Sequence, residues 1–335
     1  MLLNPAILAL FSVSVIVGLM MLIASGFALQ IVRHWDIHSG SELQLSLERR
    51  TYLISTLLTW ALAFELVSLL LFVYNAESMS GQFVGAMCAT GVLNVNAWGW
   101  PTLFLKTAVF FLGATWLTLN FLDNQGYDYP LIRAKYLLLL AILPLVIAEF
   151  FVQSSYFLNM QPDVIASCCG SLFSTQGPEV SNDVAGLRPL TALILLYGSG
   201  FAVMLSGTWY LLRRNGNALF ALASVVAFGV ALVAIISYIS PYIYDHPNHH
   251  CPFCILKSGH GFAGYTLYIP LFLATAMALA SAVVAPCKNI ASLSRQVAQL
   301  APRLTLGALS LFVLFYAVSA FWVLQSNLRM QGVWW

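Results

Sequence analysis

Residues 218–243 read "ALFALASVVAFGVALVAIISYISPYI", a run of 26 residues without a charged side chain. An α-helix rises about 1.5 Å per residue, so about twenty apolar residues cross a hydrocarbon core of about 30 Å. This segment is therefore predicted to be a membrane-spanning helix. Arg213 and Arg214 precede it, and the stretch "DHPNHHCPFC" (residues 245–254) follows it, so its two ends lie in chemically different connections.

Similar apolar runs recur along the chain, which is 60% hydrophobic and only 8% charged. A soluble domain has about one quarter charged residues, so the composition predicts an integral membrane protein. We expect an all-α, polytopic helical bundle that forms a single domain over residues 1–335. The first segment is expected to be a retained helix, because no basic residues precede it and no small-residue cleavage site follows. The predicted spans, about eight in number, are 6–31, 51–74, 103–121, 136–157, 189–212, 218–243, 264–286 and 304–325.

The lysines and arginines predict the orientation of these helices. Ten of the fourteen fall in connections that follow odd-numbered helices, and four fall on or near the other face. Cytoplasmic connections are enriched in basic residues, so we assign the first set to the cytoplasm and both termini to the outside.

The cysteines are unevenly distributed between the two faces. Cys287 lies at the cytoplasmic end of the seventh predicted span. The other five fall in the three short outer connections, at about 75–102, 158–188 and 244–263. In a bacterial inner membrane these loops would face the periplasm, where thiols can be oxidised, and this is the localisation that we expect. Five cysteines cannot all pair with one another. The five are Cys88, Cys168, Cys169, Cys251 and Cys254.

The Cys-Pro-Phe-Cys stretch is a Cys-x-x-Cys dithiol, a spacing that allows an easily reversed disulfide. The first hypothesis is therefore a membrane thiol/disulfide oxidoreductase. Cys251 and Cys254 would form the exchangeable pair, with Cys251 as the attacking thiol, and Cys88, Cys168 and Cys169 would shuttle or resolve the disulfide. The other redox party would be a quinone or a periplasmic thioredoxin-like protein.

A soft-metal site is the alternative reading of the same loop. Thiolate and imidazole ligands together suit zinc or copper, and this loop supplies both through His249, His250, Cys251 and Cys254. The protein would then transport copper or zinc, or deliver it to a metal-carrying partner. A permanent disulfide staple and a non-catalytic subunit of a respiratory assembly are the remaining alternatives.

Three charged residues lie within predicted spans: Glu65, Lys106 and Glu149. A charge at the bilayer centre costs at least about 2.5 kcal/mol, so such groups normally face the bundle interior and find a partner. Lys106 is expected to pair with Glu65 or Glu149, or else to extend towards the membrane surface. In the oxidoreductase hypothesis Glu65 and Glu149 carry protons.

Several functions are not supported by the sequence. No predicted span has a histidine near its middle, and no Cys-x-x-Cys-His motif occurs, so haem b or attached haem is not expected. Neither a Walker loop nor a dinucleotide fingerprint is present, so no nucleotide is expected. The net charge of +2 is small and dispersed, which argues against nucleic acid.

In layout the chain resembles the membrane thiol oxidoreductases, typified by vitamin K epoxide reductase and the bacterial quinone-linked disulfide-forming enzymes. The resemblance is carried by paired outer cysteines above a helical bundle, Cys251 and Cys254 above all. Those families have about half as many helices, and no motif beyond the dithiol aligns. The resemblance implies electron transfer between outer cysteine pairs and a quinone.

Overall fold

The computed structural model describes residues 4–37, 39–161, 184 and 186–330. Within these residues the chain forms α-helices and short 3-10 and π turns, and it contains no β-strand. The α-helices are α1 (Pro5–His34), α2 (Glu42–Ser78), α3 (Ala89–Leu93), α4 (Gly99–Asp123), α5 (Ile132–Leu158), α6 (Pro189–Arg213), α7 (Asn217–Ala234), α8 (Ser240–Tyr244), α9 (Ala263–Val284) and α10 (Ser294–Gln325).

Eight helical segments of the described chain are long and apolar enough to cross a bilayer. The predicted all-α polytopic bundle with about eight spans is therefore confirmed. These helices also present large apolar side chains at their surface: Leu19, Trp60 and Phe201 are 56%, 63% and 70% exposed. Apolar surface on this scale needs lipid to cover it. The chain is an integral membrane protein in contact with lipid.

Each predicted span lies inside one of the eight observed segments, but α2 begins nine residues earlier than predicted, at Glu42. The added turns, "ELQLSLERR", are polar, so a search for apolar runs passes over them. Such turns remain helical when side chains one turn apart support each other. Here the Gln44 amide donates a 2.8 Å hydrogen bond to the Glu48 carboxylate.

The chain divides into two compact units. The first comprises Met1–Asn75, Asn96–Met160 and Val283–Leu300. In it α5 packs against α1 and α4 around a buried apolar core that includes Met21, Trp116 and Tyr136. Polar bonds fix the register of these helices. The Gln153 amide of α5 donates to the Ser14 hydroxyl of α1 at 2.8 Å, for example.

The second unit comprises Ala76–Val95, Gln161–Ala282 and Ala301–Trp335. Helices α6 and α7 form a tight hairpin, in which Arg214 and Gly216 adopt left-handed backbone conformations with φ of 56° and 90°. Gly216 suits this turn because it has no Cβ to clash there. Helix α7 continues through a π turn, Ile235–Ile239, into α8. The loop 245–262 follows, and this unit therefore contains Cys251 and Cys254 as well as Cys88, which lies in its segment Ala76–Val95.

Candidate functional site

Three cysteines come together in the second unit. The Sγ atoms of Cys88, Cys251 and Cys254 all lie within 4.8 Å of one another. The Cys88 and Cys251 sulfurs are 3.3 Å apart, which exceeds the disulfide length of about 2.05 Å, so these two are in contact without a bond between them. Cys88 and Cys251 are fully buried, and Cys254 is 7% exposed. We refer to these residues as the three-cysteine cluster.

Cys88 is held in place by an ion pair between Glu77 and Lys257, which we call the Glu77–Lys257 clasp. Its position directly before α3 is fixed by Glu77, whose carboxylate accepts a 2.9 Å hydrogen bond from the Ala89 backbone N–H. The same carboxylate lies 3.5 Å from the Lys257 ammonium. Lys257 also donates a hydrogen bond to the Met87 carbonyl. The clasp therefore joins the segment around Cys88 to the loop that carries the other two cysteines.

Two tyrosines hold the backbone of the Cys-Pro-Phe-Cys stretch. The Tyr244 hydroxyl donates a 2.6 Å hydrogen bond to the Cys251 carbonyl, and the Tyr268 hydroxyl of α9 donates a 2.8 Å bond to the Pro252 carbonyl. Cys254 then begins a 3-10 turn that ends at Leu256. A Cβ on Gly264 would lie 2.6 Å from the Leu256 side chain, so the glycine lets α9 begin directly against this turn.

His250 contacts the backbone carbonyl of Ile236, which the π turn leaves without a hydrogen-bond donor from its own helix. In that turn the Ser240 N–H bonds to the Ile235 carbonyl, and Pro241 has no N–H to offer. The Ile236 carbonyl is thus left without the helical donors that it would normally have. The Nδ1 atom of His250, which is 5% exposed, lies 3.0 Å from that carbonyl and satisfies it. Since buried backbone carbonyls need a partner, this bond anchors the loop to the helix.

The other loop histidines surround Tyr244. The His249 ring stacks on the Tyr244 ring at 4.1 Å between centroids, and the His260 ring meets it edge-on at 4.7 Å. Burial lowers the pKa of His250, an effect opposed by the Ile236 carbonyl and reinforced by His249. Burial likewise lowers the pKa of His260, with His249 and Lys257 contributing. Both rings are therefore biased towards the neutral form.

Thr90 adds a polar group to the cluster. Its side-chain oxygen lies 3.3 Å from the Cys251 sulfur, and the residue is fully buried. A hydroxyl that donates to sulfur stabilises the thiolate relative to the thiol, because hydrogen bonds to charged groups are the stronger ones. Cys251 is thus in contact with both Cys88 and Thr90.

The charged residues predicted within spans meet in the first unit. Lys106 Nζ lies 2.7 Å from Glu149 Oε1 and 3.3 Å from Glu65 Oε1, and all three residues are at most 2% exposed. The structure thus makes both of the pairings that the sequence offered as alternatives. Lys106 does not extend to the surface.

The structure gathers some of the predicted site residues and not others. Cys88, Cys251 and Cys254 meet, whereas His249 and His250 contact Tyr244 and the Ile236 carbonyl and are not part of the cysteine group. Cys168 and Cys169 lie outside the described residues.

Sequence reasoning missed Thr90, Glu77 and Tyr244. Thr90 stands two residues after Cys88, and that proximity was its one sequence signal. Glu77 lies in the connection after the predicted span 51–74, and Tyr244 is one of several tyrosines near a helix end, so the sequence alone did not distinguish either residue.

Comparison with protein-family models, with curated proteins and with solved structures finds no match for this chain.

Proposed function

We propose that the protein is a membrane thiol/disulfide oxidoreductase in which Cys251 is shared by two alternative disulfides. The observation that carries this proposal is the 3.3 Å contact between the sulfurs of Cys88 and Cys251, in a cluster that also contains Cys254. Reacting atoms about 3–3.5 Å apart are close enough for direct attack. A small movement would therefore bring the sulfur of either Cys88 or Cys254 to bonding distance from the sulfur of Cys251.

The exchange within the cluster is balanced in atoms and electrons. The Cys88 thiolate attacks the Cys251 sulfur of a Cys251–Cys254 disulfide, a Cys88–Cys251 disulfide forms, and Cys254 leaves as a thiolate. No net oxidation takes place in this step. Cys254 is buried but, at 7% exposed, is the least enclosed of the three, so we assign to its released thiolate the reaction with a partner.

Net turnover requires an external electron donor and an external acceptor. A dithiol on a periplasmic thioredoxin-like partner is oxidised to a disulfide, and it delivers two electrons and two protons. A quinone in the membrane accepts them and becomes a quinol. We place the cluster on the periplasmic side of a bacterial inner membrane, because the basic residues concentrate in the opposite connections.

Disulfide mapping in serine variants tests the shared role of Cys251. After mild oxidation, we expect Cys254→Ser to contain the Cys88–Cys251 disulfide and Cys88→Ser to contain the Cys251–Cys254 disulfide, whereas Cys251→Ser contains neither. Cys287→Ser is the matched control and should retain the wild-type pattern. Reduction of a soluble quinone analogue by a small dithiol should require Cys251. A Cys251 that forms one disulfide resistant to all dithiols would contradict the proposal.

Soft-metal binding is the second candidate, and the compactness of the cluster favours it. Three sulfurs within 4.8 Å of one another match the spacing around a metal with Zn–S bonds of about 2.3 Å. Three thiolates also suit cuprous ion. Metal analysis of protein purified without oxygen separates the candidates. One copper or zinc per chain, lost in Cys88→Ser, would favour metal handling over electron transfer.

A further inference from the structure

The cluster of Glu65, Lys106 and Glu149 has more acidic than basic groups. Each residue comes from a different helix of the first unit: α2, α4 and α5. Ser68 connects two of them, since its hydroxyl lies 2.9 Å from Glu65 Oε1 and 3.0 Å from Lys106 Nζ. Two carboxylates thus share one ammonium in a site with side chains at most 1% exposed.

Among the described residues, no further charged side chain forms an ion pair with this cluster. Helix α1, which packs against α5, carries its described ionisable side chains, Arg33 and His34, in its last turn. The Phe72 ring, 6.0 Å from the Lys106 ammonium, faces the cluster on the α2 side. With every group ionised, the cluster would therefore carry one uncompensated negative charge inside a membrane-spanning region.

The same unit contains a balanced pair for comparison. Lys135 Nζ lies 2.6 Å from Asp123 Oδ2, and both side chains are fully buried. One ammonium faces one carboxylate there, and the other carboxylate oxygen accepts a 2.8 Å bond from the Leu131 N–H. Glu65 Oε2 and Glu149 Oε2, in contrast, are buried carboxylate oxygens without a hydrogen-bond partner among the described residues.

We propose that the cluster of Glu65, Lys106 and Glu149 is a binding site for one exchangeable proton, shared between the two carboxylates. A buried charge without a counter-charge is strongly disfavoured, and two carboxylates at one site resist ionising together. Binding one proton leaves one ammonium opposite one carboxylate, which is the balance that Lys135 and Asp123 already have. The two unpartnered oxygens are the open positions for the proton. This site stands independently of the chemistry proposed for the cysteines.

Infrared spectroscopy of the lipid-embedded full chain tests the proton directly. Glutamate labelled isotopically at its side-chain carboxyl carbon separates the glutamates from Asp123. At neutral pH the wild type should show the carbonyl band of one protonated glutamic acid. Glu65→Gln and Glu149→Gln should each abolish the whole band, because either change leaves one carboxylate opposite one ammonium. Lys106→Met should increase the band, and Asp123→Asn should leave it unchanged.

Three results would overturn the proposal. The first is a wild-type spectrum without a protonated glutamic acid at neutral pH, a result that needs no variant to fold. The second is a band that survives in both glutamine variants. The third is loss of the wild-type band when sodium replaces choline at constant ionic strength, which would show that the site holds a metal cation instead.

Discussion

The sulfurs of Cys88 and Cys251 lie 3.3 Å apart although the two residues are 163 positions apart in the sequence. Cys88 belongs to the connection after α2, and Cys251 belongs to the loop before α9. The contact depends on the Glu77–Lys257 clasp on one side and on the Tyr244 hydrogen bond on the other. Each of these supports can be removed separately.

Replacing Thr90 with valine should make the thiolate of Cys251 less stable relative to its thiol. The two side chains have the same shape, but valine cannot donate a hydrogen bond to the sulfur 3.3 Å away. Loss of a hydrogen bond to a charged group costs about 1.5 kcal/mol, or about tenfold in the thiolate population. The rate of Cys251 alkylation can be measured at a series of pH values by peptide mass spectrometry. Its rise with pH should occur at higher pH in the variant than in the wild type.

Thr275→Val is the control for that substitution. Thr275 is also buried in the second unit, but its hydroxyl donates to the Leu271 carbonyl of its own helix. The Thr275→Val variant should therefore show the same pH dependence of Cys251 alkylation as the wild type. An equal shift in both variants would mean that Thr90 acts only through packing.

Breaking the clasp should expose Cys88. Lys257→Met removes both the ion pair with Glu77 and the hydrogen bond to the Met87 carbonyl. Because the clasp is partly exposed, we expect a loss of about 1 kcal/mol, which raises the open population of the loop about fivefold. Maleimide labelling of Cys88 should accelerate accordingly. Arg303→Met removes an exposed cation from α10 and should not change the rate.

The Lys135–Asp123 pair should behave as a structural pair. Lys135→Met leaves a buried carboxylate without its cation, and we expect the free energy of unfolding to fall by about 3–5 kcal/mol. Lys135→Met combined with Asp123→Asn should recover part of that loss, since no unpaired charge remains. Unfolding curves recorded in detergent give the free energy of unfolding of the single and the double variant. Additive losses in the double variant would show that the two residues do not act as a pair.

Acidification should destabilise the loop through His250. Burial lowers the pKa of His250 in the folded protein, so protons bind more readily to the unfolded chain. The contribution of His250 to the free energy of unfolding is fully present above the ordinary histidine pKa of about 6.5, and it decreases as the pH falls below that value. Thermal midpoints measured against pH should show this decrease.

His250→Asn tests the assignment of that pH dependence. Asparagine places an amide where Nδ1 lies, so it can still donate to the Ile236 carbonyl without titrating. The variant should show a flatter pH profile than the wild type. His246→Asn alters an exposed histidine of the same loop and should keep the wild-type slope.

The prediction of the fold succeeded because a membrane span is specified locally. The 218–243 run is long enough and apolar enough by itself, and it lies within the observed segment Asn217–Tyr244. Polar helical turns such as those from Glu42 are not detected in this way, because side-chain pairing rather than hydropathy keeps them helical. For Lys106 the cost of a charge in the bilayer left two alternatives, a buried carboxylate partner or extension to the membrane surface, and the structure shows the first.

The sequence by itself determined the helical bundle and the presence of cysteines in the connections between its helices. Only the tertiary structure decided that Cys88 joins Cys251 and Cys254, that His250 contacts the Ile236 carbonyl, and that Lys106 serves two carboxylates at once. The physical reason is range: helix formation and lipid burial depend on residues within one segment, whereas these contacts depend on how distant segments pack. No local pattern specifies which of several suitable partners that packing brings within reach.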